Sequence, residues 1–342
     1  MLVLEENISQ MEASGTGTKP LRIVLAGGNG HLGRILARHF YGQGHDVTVL
    51  ARTTEFLPWR MVAWDGENPG EWTRELEGAD TLINLAGRSV NCRYDRWNRR
   101  AILESRVKST RALGEAIAGL TNPPRAWLNM STAAIYRHAL DRAMDEESGE
   151  TGGKEADAPE EWKFSIDVAK RWEEAFFASR TPATRKVALR SAMVMSAERG
   201  GVFEMLLRLV RFGLGGAAGT GRQFVSWIHD EDFVRAIEFL IEHEGMDGPV
   251  NVASPAPLPN REFMAALREA WGAKFGLDAR KWMLEAGAVL LQTETELILK
   301  SRRVVPRKLL AGGFEFRFAK WREAARELVG RRRKGLAGGG AG

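Results

Sequence analysis

Gly27, Gly30 and Gly33 stand three apart in Leu21-Arg22-Ile23-Val24-Leu25-Ala26-Gly27-Gly28-Asn29-Gly30-His31-Leu32-Gly33, directly after an apolar run. Residues of that type and spacing could hold a pyrophosphate. The first glycine permits a tight turn, the second lets a phosphate approach the backbone, and the third lets a helix pack closely on the strand before it. A glycine triplet alone also reads as an ordinary turn. The residues that follow favour the phosphate, because Leu32, Ile35, Leu36, His39 and Phe40 recur at helical spacing and Val47-Thr48-Val49-Leu50 is a second apolar run. Together these make a β-α-β unit of about 30 residues.

About 20 residues past the glycines, an NAD site carries an Asp or Glu for the ribose hydroxyls. This chain has Arg52 there. A guanidinium suits a 2′-phosphate, so NADP(H) is expected ahead of NAD. Arg34, on the helix after the glycine loop, could meet the same phosphate, and Arg52 could equally be a solvated loop cation.

Other chemistry is sparse. The single cysteine, Cys92, excludes intrachain disulfides and reads as a small buried hydrophobe. No His-x-x-x-His, clustered carboxylate set or cysteine ligand pattern argues for a metal. His229 precedes Asp230, Glu231 and Asp232; it could shuttle a proton or cap the helix that begins there. The formal charge is +5, but Arg331-Arg332-Arg333-Lys334 carries four of those charges, so the body is nearly neutral and no nucleic-acid partner is expected. No apolar run approaches the ~20 residues of a membrane span. Met1 to Pro20 lacks the basic start and apolar core of a signal peptide, which places the chain in the cytoplasm.

The elements that must position these residues alternate. Thr81 to Gly87 reads as a buried strand, Trp97 to Ile117 as a long helix, Ala126 to Ser131 as a strand, Phe164 to Ala178 as a helix and Val187 to Arg190 as a strand. This order predicts an α/β fold, a doubly wound parallel sheet. Glycine pairs at Gly200-Gly201 and Gly215-Gly216 mark site-lining loops around 191–224. A smaller C-terminal α+β cap follows, with a helix at Phe263 to Trp271, an apolar stretch near Trp282 to Leu291, a strand at Phe314 to Phe318 and a last helix. The division is a flexible tail over 1–20, a nucleotide-binding domain over 21–253, a small domain over 254–330 and a flexible basic, glycine-rich tail over 331–342.

The ordered set Ala26 to Gly33, Asn84-Leu85-Ala86-Gly87, Ser105-Arg106-Val107-Lys108-Ser109-Thr110, Gly221 to His229, Asn251-Val252-Ala253-Ser254-Pro255 and Arg303-Val304-Val305-Pro306 with Gly313 to Phe316 resembles the extended short-chain dehydrogenase/reductase superfamily. It is most similar to the atypical "epimerase family" branch with a C-terminal domain of unknown function, and the resemblance spans roughly Leu21 to Leu328. It implies a Rossmann-type sheet. It also implies cofactor contacts from His31 and Leu32 beside the glycines, from Leu85, Ala86 and Gly87, and from Asp65 near the adenine. Arg106 stands where that family commonly has asparagine, and would set a fixed cation near the cofactor or an anionic substrate, or make a surface salt bridge.

Enzymes of that superfamily use a tyrosine as general acid/base and a lysine four residues later that lowers the tyrosine's pKa. Ser131-Thr132-Ala133-Ala134-Ile135-Tyr136 resembles the family's Ser/Thr-x-x-x-Tyr segment, with Thr132 as the residue that orients the substrate oxygen and Ser131 beside it. Tyr-x-x-x-Lys itself is missing. Anchoring on Lys170 puts Ile166 in the tyrosine's place, and anchoring on Glu173 puts Ser165 and Ala169 in the two catalytic places. Tyr136 is the surrogate donor the segment offers, while Arg222 and Gln223, in a glycine-flanked loop, are the expected substrate contacts. The leading expectation is an NADP(H)-dependent oxidoreductase or epimerase-like enzyme acting on a small carbonyl or hydroxyl compound. The alternative is a catalytically idle NADPH-binding sensor or scaffold. Helices such as those at 97–117 and 164–178 could pair into a homodimer.

Overall fold

The structure is a computed structural model that describes residues 19–155, 158–279 and 296–338. Beyond the exposed Arg22, Arg22–Ala26 (β1) and all of Thr81–Asn84 (β4) are buried on both faces, as central parallel strands must be. They pair with each other, Ile23 opposite Thr81. Asp46–Ala51 (β2) lies on the other side of β1, then Arg60–Ala63 (β3) at one edge. Ala126–Thr132 (β5), Arg185–Ser191 (β6) and Gly248–Val252 (β7) extend the sheet beyond β4. The seven-stranded parallel order is β7-β6-β5-β4-β1-β2-β3.

Helices cover both faces. Ile23 and Leu25 point into one core with Ile35, Leu36 and Phe40 of His31–Gly42 (α1) and Phe233 and Ile237 of Asp230–Glu242 (α5). Val24 and Ala26, one residue out of phase, point into the opposite core. There they meet Leu113 and Ile117 of Arg96–Ala118 (α2) and Phe176 of Glu160–Ala178 (α3). The chain is therefore the α/β, doubly wound sheet expected from its sequence. The Asp95 carboxylate caps α2 by accepting from the Asn98 backbone N–H at 2.7 Å.

Three differences have physical causes. Val202–Arg211 (α4) is a helix where glycine pairs suggested only loops, with Phe203, Leu207 and Val210 buried at helical spacing. Phe314 to Phe318 is not a strand: the N–H groups of Arg317 and Phe318 donate to the Asp232 carboxylate instead of to a neighbouring strand. The basic run is not a loose tail, since Trp321–Gly338 (α9) continues through it. Arg331 pairs with Asp230 and Arg332 with Glu204, both at 2.5 Å. Most of the expected N-terminal tail and the apolar stretch near Trp282 to Leu291 lie outside the described residues.

The C-terminal part packs onto Asn260–Trp271 (α6), where Trp321 stacks on Phe263 with ring centroids 4.0 Å apart. Glu296–Leu299 (α7) and Arg307–Ala311 (α8) lead into it. Among the described residues no helix is long and apolar enough to cross a membrane.

Candidate active site

At the carboxyl ends of β1 and β4 the chain turns away in opposite directions, and this is where parallel sheets open a crevice. Gly27 sits there at φ +77°, and a Cβ on it would lie 2.7 Å from the Ala86 backbone. A Cβ on Gly33 would lie 2.4 Å from the Gly28 carbonyl oxygen, so both positions require glycine. Gly30 differs: its Cβ would meet only the Gly27 oxygen, at 3.7 Å, so the space above it is open.

Gly30 caps α1 without a side-chain acceptor, and the first turn of α1 holds no acid. Its N–H groups and the positive end of its dipole are left for an anion. The His31 Nε2 atom is buried without a hydrogen-bond partner. An open glycine cradle, an uncapped helix start and an orphaned imidazole nitrogen fit a dinucleotide's phosphates.

One cavity of about 440 Å³ runs from this loop, lined by Gly27, Gly30, His31, Leu32 and Gly33, past Leu85, Gly87 and Arg106 to Ser131 and Thr132. Ala86 stands behind it against Gly27, with its N–H bonded to the Asn84 side chain at 3.0 Å. Arg106 donates to the carbonyls of Arg88 and Ile102 and lies 5.1 Å over the Trp172 ring. Burial lowers its guanidinium to about 10, so it stays cationic at neutral pH.

Ser131 and Thr132 divide the work at the end of β5. The Ser131 hydroxyl donates to Glu173 Oε1 at 2.6 Å, and Glu173 is held in a fork by Arg190 at 2.9 and 2.8 Å. With its proton committed to a carboxylate, Ser131 presents only lone pairs. Thr132 Oγ1 accepts from the Ala134 N–H at 3.1 Å, and its own proton has no protein acceptor among the described residues. Thr132 is therefore the donor available to a substrate oxygen.

Tyr136, expected as the surrogate proton donor, is not at the cavity. Its hydroxyl accepts from Arg190 at 3.0 Å and lies within hydrogen-bond reach of Asn251 Oδ1 at 2.9 Å and the Asp145 carbonyl at 3.1 Å. Burial pushes its phenol up, against the opposing pull of Arg190. Tyr136→Phe is expected to cost about 1 kcal/mol or somewhat more in denaturant unfolding, since it removes buried hydrogen bonds, and to leave nucleotide affinity unchanged.

Four other residues expected at the site do not line this cavity. Asp65 closes its own turn, accepting from the Glu67 and Asn68 N–H groups at 2.9 Å each, and the Asn68 bonds hold its carboxyl below the usual range. Gln223 is buried and donates to the Ala218 and Ile298 carbonyls at 2.9 and 3.1 Å, tying its loop to α7. Arg222 is exposed outside the cavity. Arg52 lies exposed beyond the end of β2, outside the enclosed part of the site, with no ion pair among the described residues. Arg34 is already paired with Glu55 at 2.7 Å. His229 is a cap, its Nδ1 accepting from the Glu231 N–H at 3.1 Å. His229, Glu231 and Glu327 cluster closely enough for a cation. The Arg331 guanidinium fills that position, bonded to Glu327 and 3.3 Å from His229 Nε2.

On α3, Ala169 is buried and off the cavity. Ser165 lines the cavity, whereas Ile166 is buried beside Gly152 and Gly153. Lys170 reaches the Gly152 carbonyl at 2.5 Å and does not line the cavity. Sequence reasoning missed Tyr94, Glu296 and Arg302, which complete the wall beside Ser165. Glu296, Lys300 and Arg302, which bracket the apolar Leu297-Ile298-Leu299, were the available signal.

The NAD dependent epimerase/dehydratase family matches residues 23–253, and a domain of unknown function, DUF1731, matches 281–328. The epimerase family protein SDR39U1 of Bos taurus is 31% identical over 315 residues, covering 90% of this chain and all of that protein. The epimerase family protein YfhF of Bacillus subtilis is 30% identical over 316 residues, 92% and 99% of the two chains. The crystal structure of human SDR39U1 (isoform2) with NADPH superposes with a TM-score of 0.79 at 28% identity, over 91% of this chain and 99% of that one.

Proposed function

The chain belongs to the NAD dependent epimerase/dehydratase family, and from that premise we propose that it is an NADP(H)-dependent oxidoreductase acting on a small carbonyl or hydroxyl compound. The observation that carries this reading is the single cavity that joins the glycine loop to the Thr132 hydroxyl. In it, Gly27, Gly30, His31, Leu32 and Gly33 take the pyrophosphate, and Leu85, Ala86 and Gly87 flank the dinucleotide. Arg106 adds a cation alongside, and Thr132 orients the substrate oxygen, with Ser131 as its neighbour. When bound, the dinucleotide supplies or accepts a hydride. The human relative solved with NADPH supports the choice of cofactor. The reading keeps the chain in the cytoplasm among small molecules, with α2 and α3 as the face for a second copy. The idle-sensor reading rests on the missing Tyr-x-x-x-Lys pair, and a measured turnover of a carbonyl or hydroxyl compound would dismiss it.

Arg52 is the residue assigned to the 2′-phosphate, because Arg34 is already committed to Glu55. Arg52→Ala is expected to weaken NADPH roughly ten- to a hundredfold, the loss of a hydrogen-bonded charge worth ~1.5–3 kcal/mol, and to leave NADH almost untouched. Calorimetric titration with each nucleotide checks this, and an equal loss for both sinks the assignment.

A further inference from the structure

Arg106 is a cation without an acid. It is half-buried on α2 and lines the cavity, and among the described residues its only hydrogen-bond acceptors are two backbone carbonyls. The other arginines of the cavity wall differ. Arg302 is ion-paired to Glu296 at 3.0 Å, and Arg88 is exposed. A charge held away from bulk water costs free energy until something supplies its partner.

One edge of the Arg106 guanidinium is clamped and the other is open. Nη1 donates to the Arg88 and Ile102 carbonyls at 3.0 and 2.9 Å. Cζ lies 5.1 Å over the Trp172 ring, a cation–π contact that sets the plane, and Trp172 is itself fixed by donating from Nε1 to Thr110 Oγ1 at 3.0 Å. Gly87 packs close enough that a Cβ on it would lie 3.2 Å from Arg106 Cζ. Nε and Nη2 have no acceptor among the described residues, and neither atom is sealed off from open space. In Arg190 the same two nitrogens hold the Glu173 carboxylate at 2.9 and 2.8 Å. The open edge of Arg106 is thus shaped for a carboxylate, taken by two parallel bonds.

The dinucleotide does not bring that partner. Its pyrophosphate is assigned to the loop from Gly27 to Gly33 and its 2′-phosphate to Arg52 beyond β2, so it runs from β2 across β1 toward β4 and β5. Its nicotinamide end carries no phosphate, and the oxidised ring is itself a cation. Arg106 stands at that end, against Gly87 beyond β4 and on the same cavity as Thr132 at the end of β5. Resting on the NADP(H) reading above, we propose that the substrate is a small carboxylic acid, its carboxylate forked on Nε and Nη2 of Arg106 and its carbonyl or hydroxyl oxygen at Thr132. Ile102, Phe164, Val168 and Trp172 make the wall around it apolar, which suits a short hydrocarbon body. Two parallel bonds fix the plane of the acid as well as its position, so the reacting carbon cannot swing away from the dinucleotide.

The test uses the full chain and oxamate, a carboxylate with an adjacent amide carbonyl that does not accept a hydride, with its uncharged ethyl ester as the control. Each is titrated calorimetrically into protein saturated with NADPH and into nucleotide-free protein. Oxamate is expected to bind at least about tenfold tighter than the ester, since only the acid can be held by charged hydrogen bonds. R106M should weaken oxamate roughly ten- to a hundredfold, and R106K, which keeps the charge but not the fork, should restore only part of that loss. In protein carrying nitrogen-15 arginine, the Nε signal that R106K removes is expected to shift when oxamate is added to the wild type, a readout of the fork that does not depend on how any variant folds. Oxamate binding no tighter than its ester, an Nε signal that ignores it, or wild-type oxamate affinity in R106M overturns the proposal. R106M losing NADPH while keeping oxamate gives the cation to a phosphate of the dinucleotide and overturns it too. Failure of the wild type to bind NADPH is a separate result: it removes the cofactor reading, while the nucleotide-free titration decides the carboxylate site by the same criteria.

Discussion

Replacing Gly30 with aspartate is expected to leave a folded protein that has lost NADPH. Gly30 lies at φ −70° and ψ 169°, an extended conformation open to any residue. A Cβ there meets only the Gly27 oxygen, at 3.7 Å. Aspartate is also a favoured N-cap, so it should hold or raise the stability of α1. The same carboxylate would occupy the open start of the helix and repel a pyrophosphate that needs that site. Affinity should fall at least about a hundredfold, ~2.7 kcal/mol, with no drop in melting temperature. Gly33→Ala is the contrasting case, because its Cβ would lie 2.4 Å from the Gly28 carbonyl oxygen and the loop itself would have to move. Calorimetry and thermal melts on the two variants separate loss of site from loss of fold. Full NADPH affinity in Gly30→Asp would place the phosphates elsewhere.

The parts of this molecule that were legible in its sequence are those built by short-range rules. Ile23 to Ala26, the glycine loop and the helical spacing of Ile35, Leu36 and Phe40 specify β1, the turn and α1 within a short stretch of chain, and the cradle follows from them. The edge strand β3 was passed over because its four residues are only half-buried or exposed and carry no alternation. The chemical end of the site was harder to read because it is assembled from afar: Ser165 and Glu296 are 131 residues apart. Tyr136 misled for a related reason. Its segment ends at the crevice, but the direction of its side chain is set by the β5–β6 register, which places Ser131 opposite Arg190. An arginine closing the apolar run Val187-Ala188-Leu189 was the sign that a buried acid had to be near.

That buried pair carries the second large prediction. Arg190 and Glu173 side chains are each about 10% exposed and bonded in a fork. Arg190→Met should destabilise the protein by about 3–5 kcal/mol, because Glu173 keeps its charge in the interior with only the Ser131 hydroxyl to stabilise it. The double variant Glu173→Leu with Arg190→Met should recover most of that loss, since two apolar side chains of similar volume carry no desolvation cost. It should also release the Ser131 proton from its acceptor and leave two hydroxyls competing to donate at the end of β5. Denaturant unfolding of the two variants measures the first effect, and the affinity of the NADP+ complex of the double variant for acetone, whose oxygen only accepts, measures the second. If Arg190→Met stays within about 1 kcal/mol of wild type, the network does not carry the site's rigidity, and Ser131 and Thr132 are not held apart by Glu173.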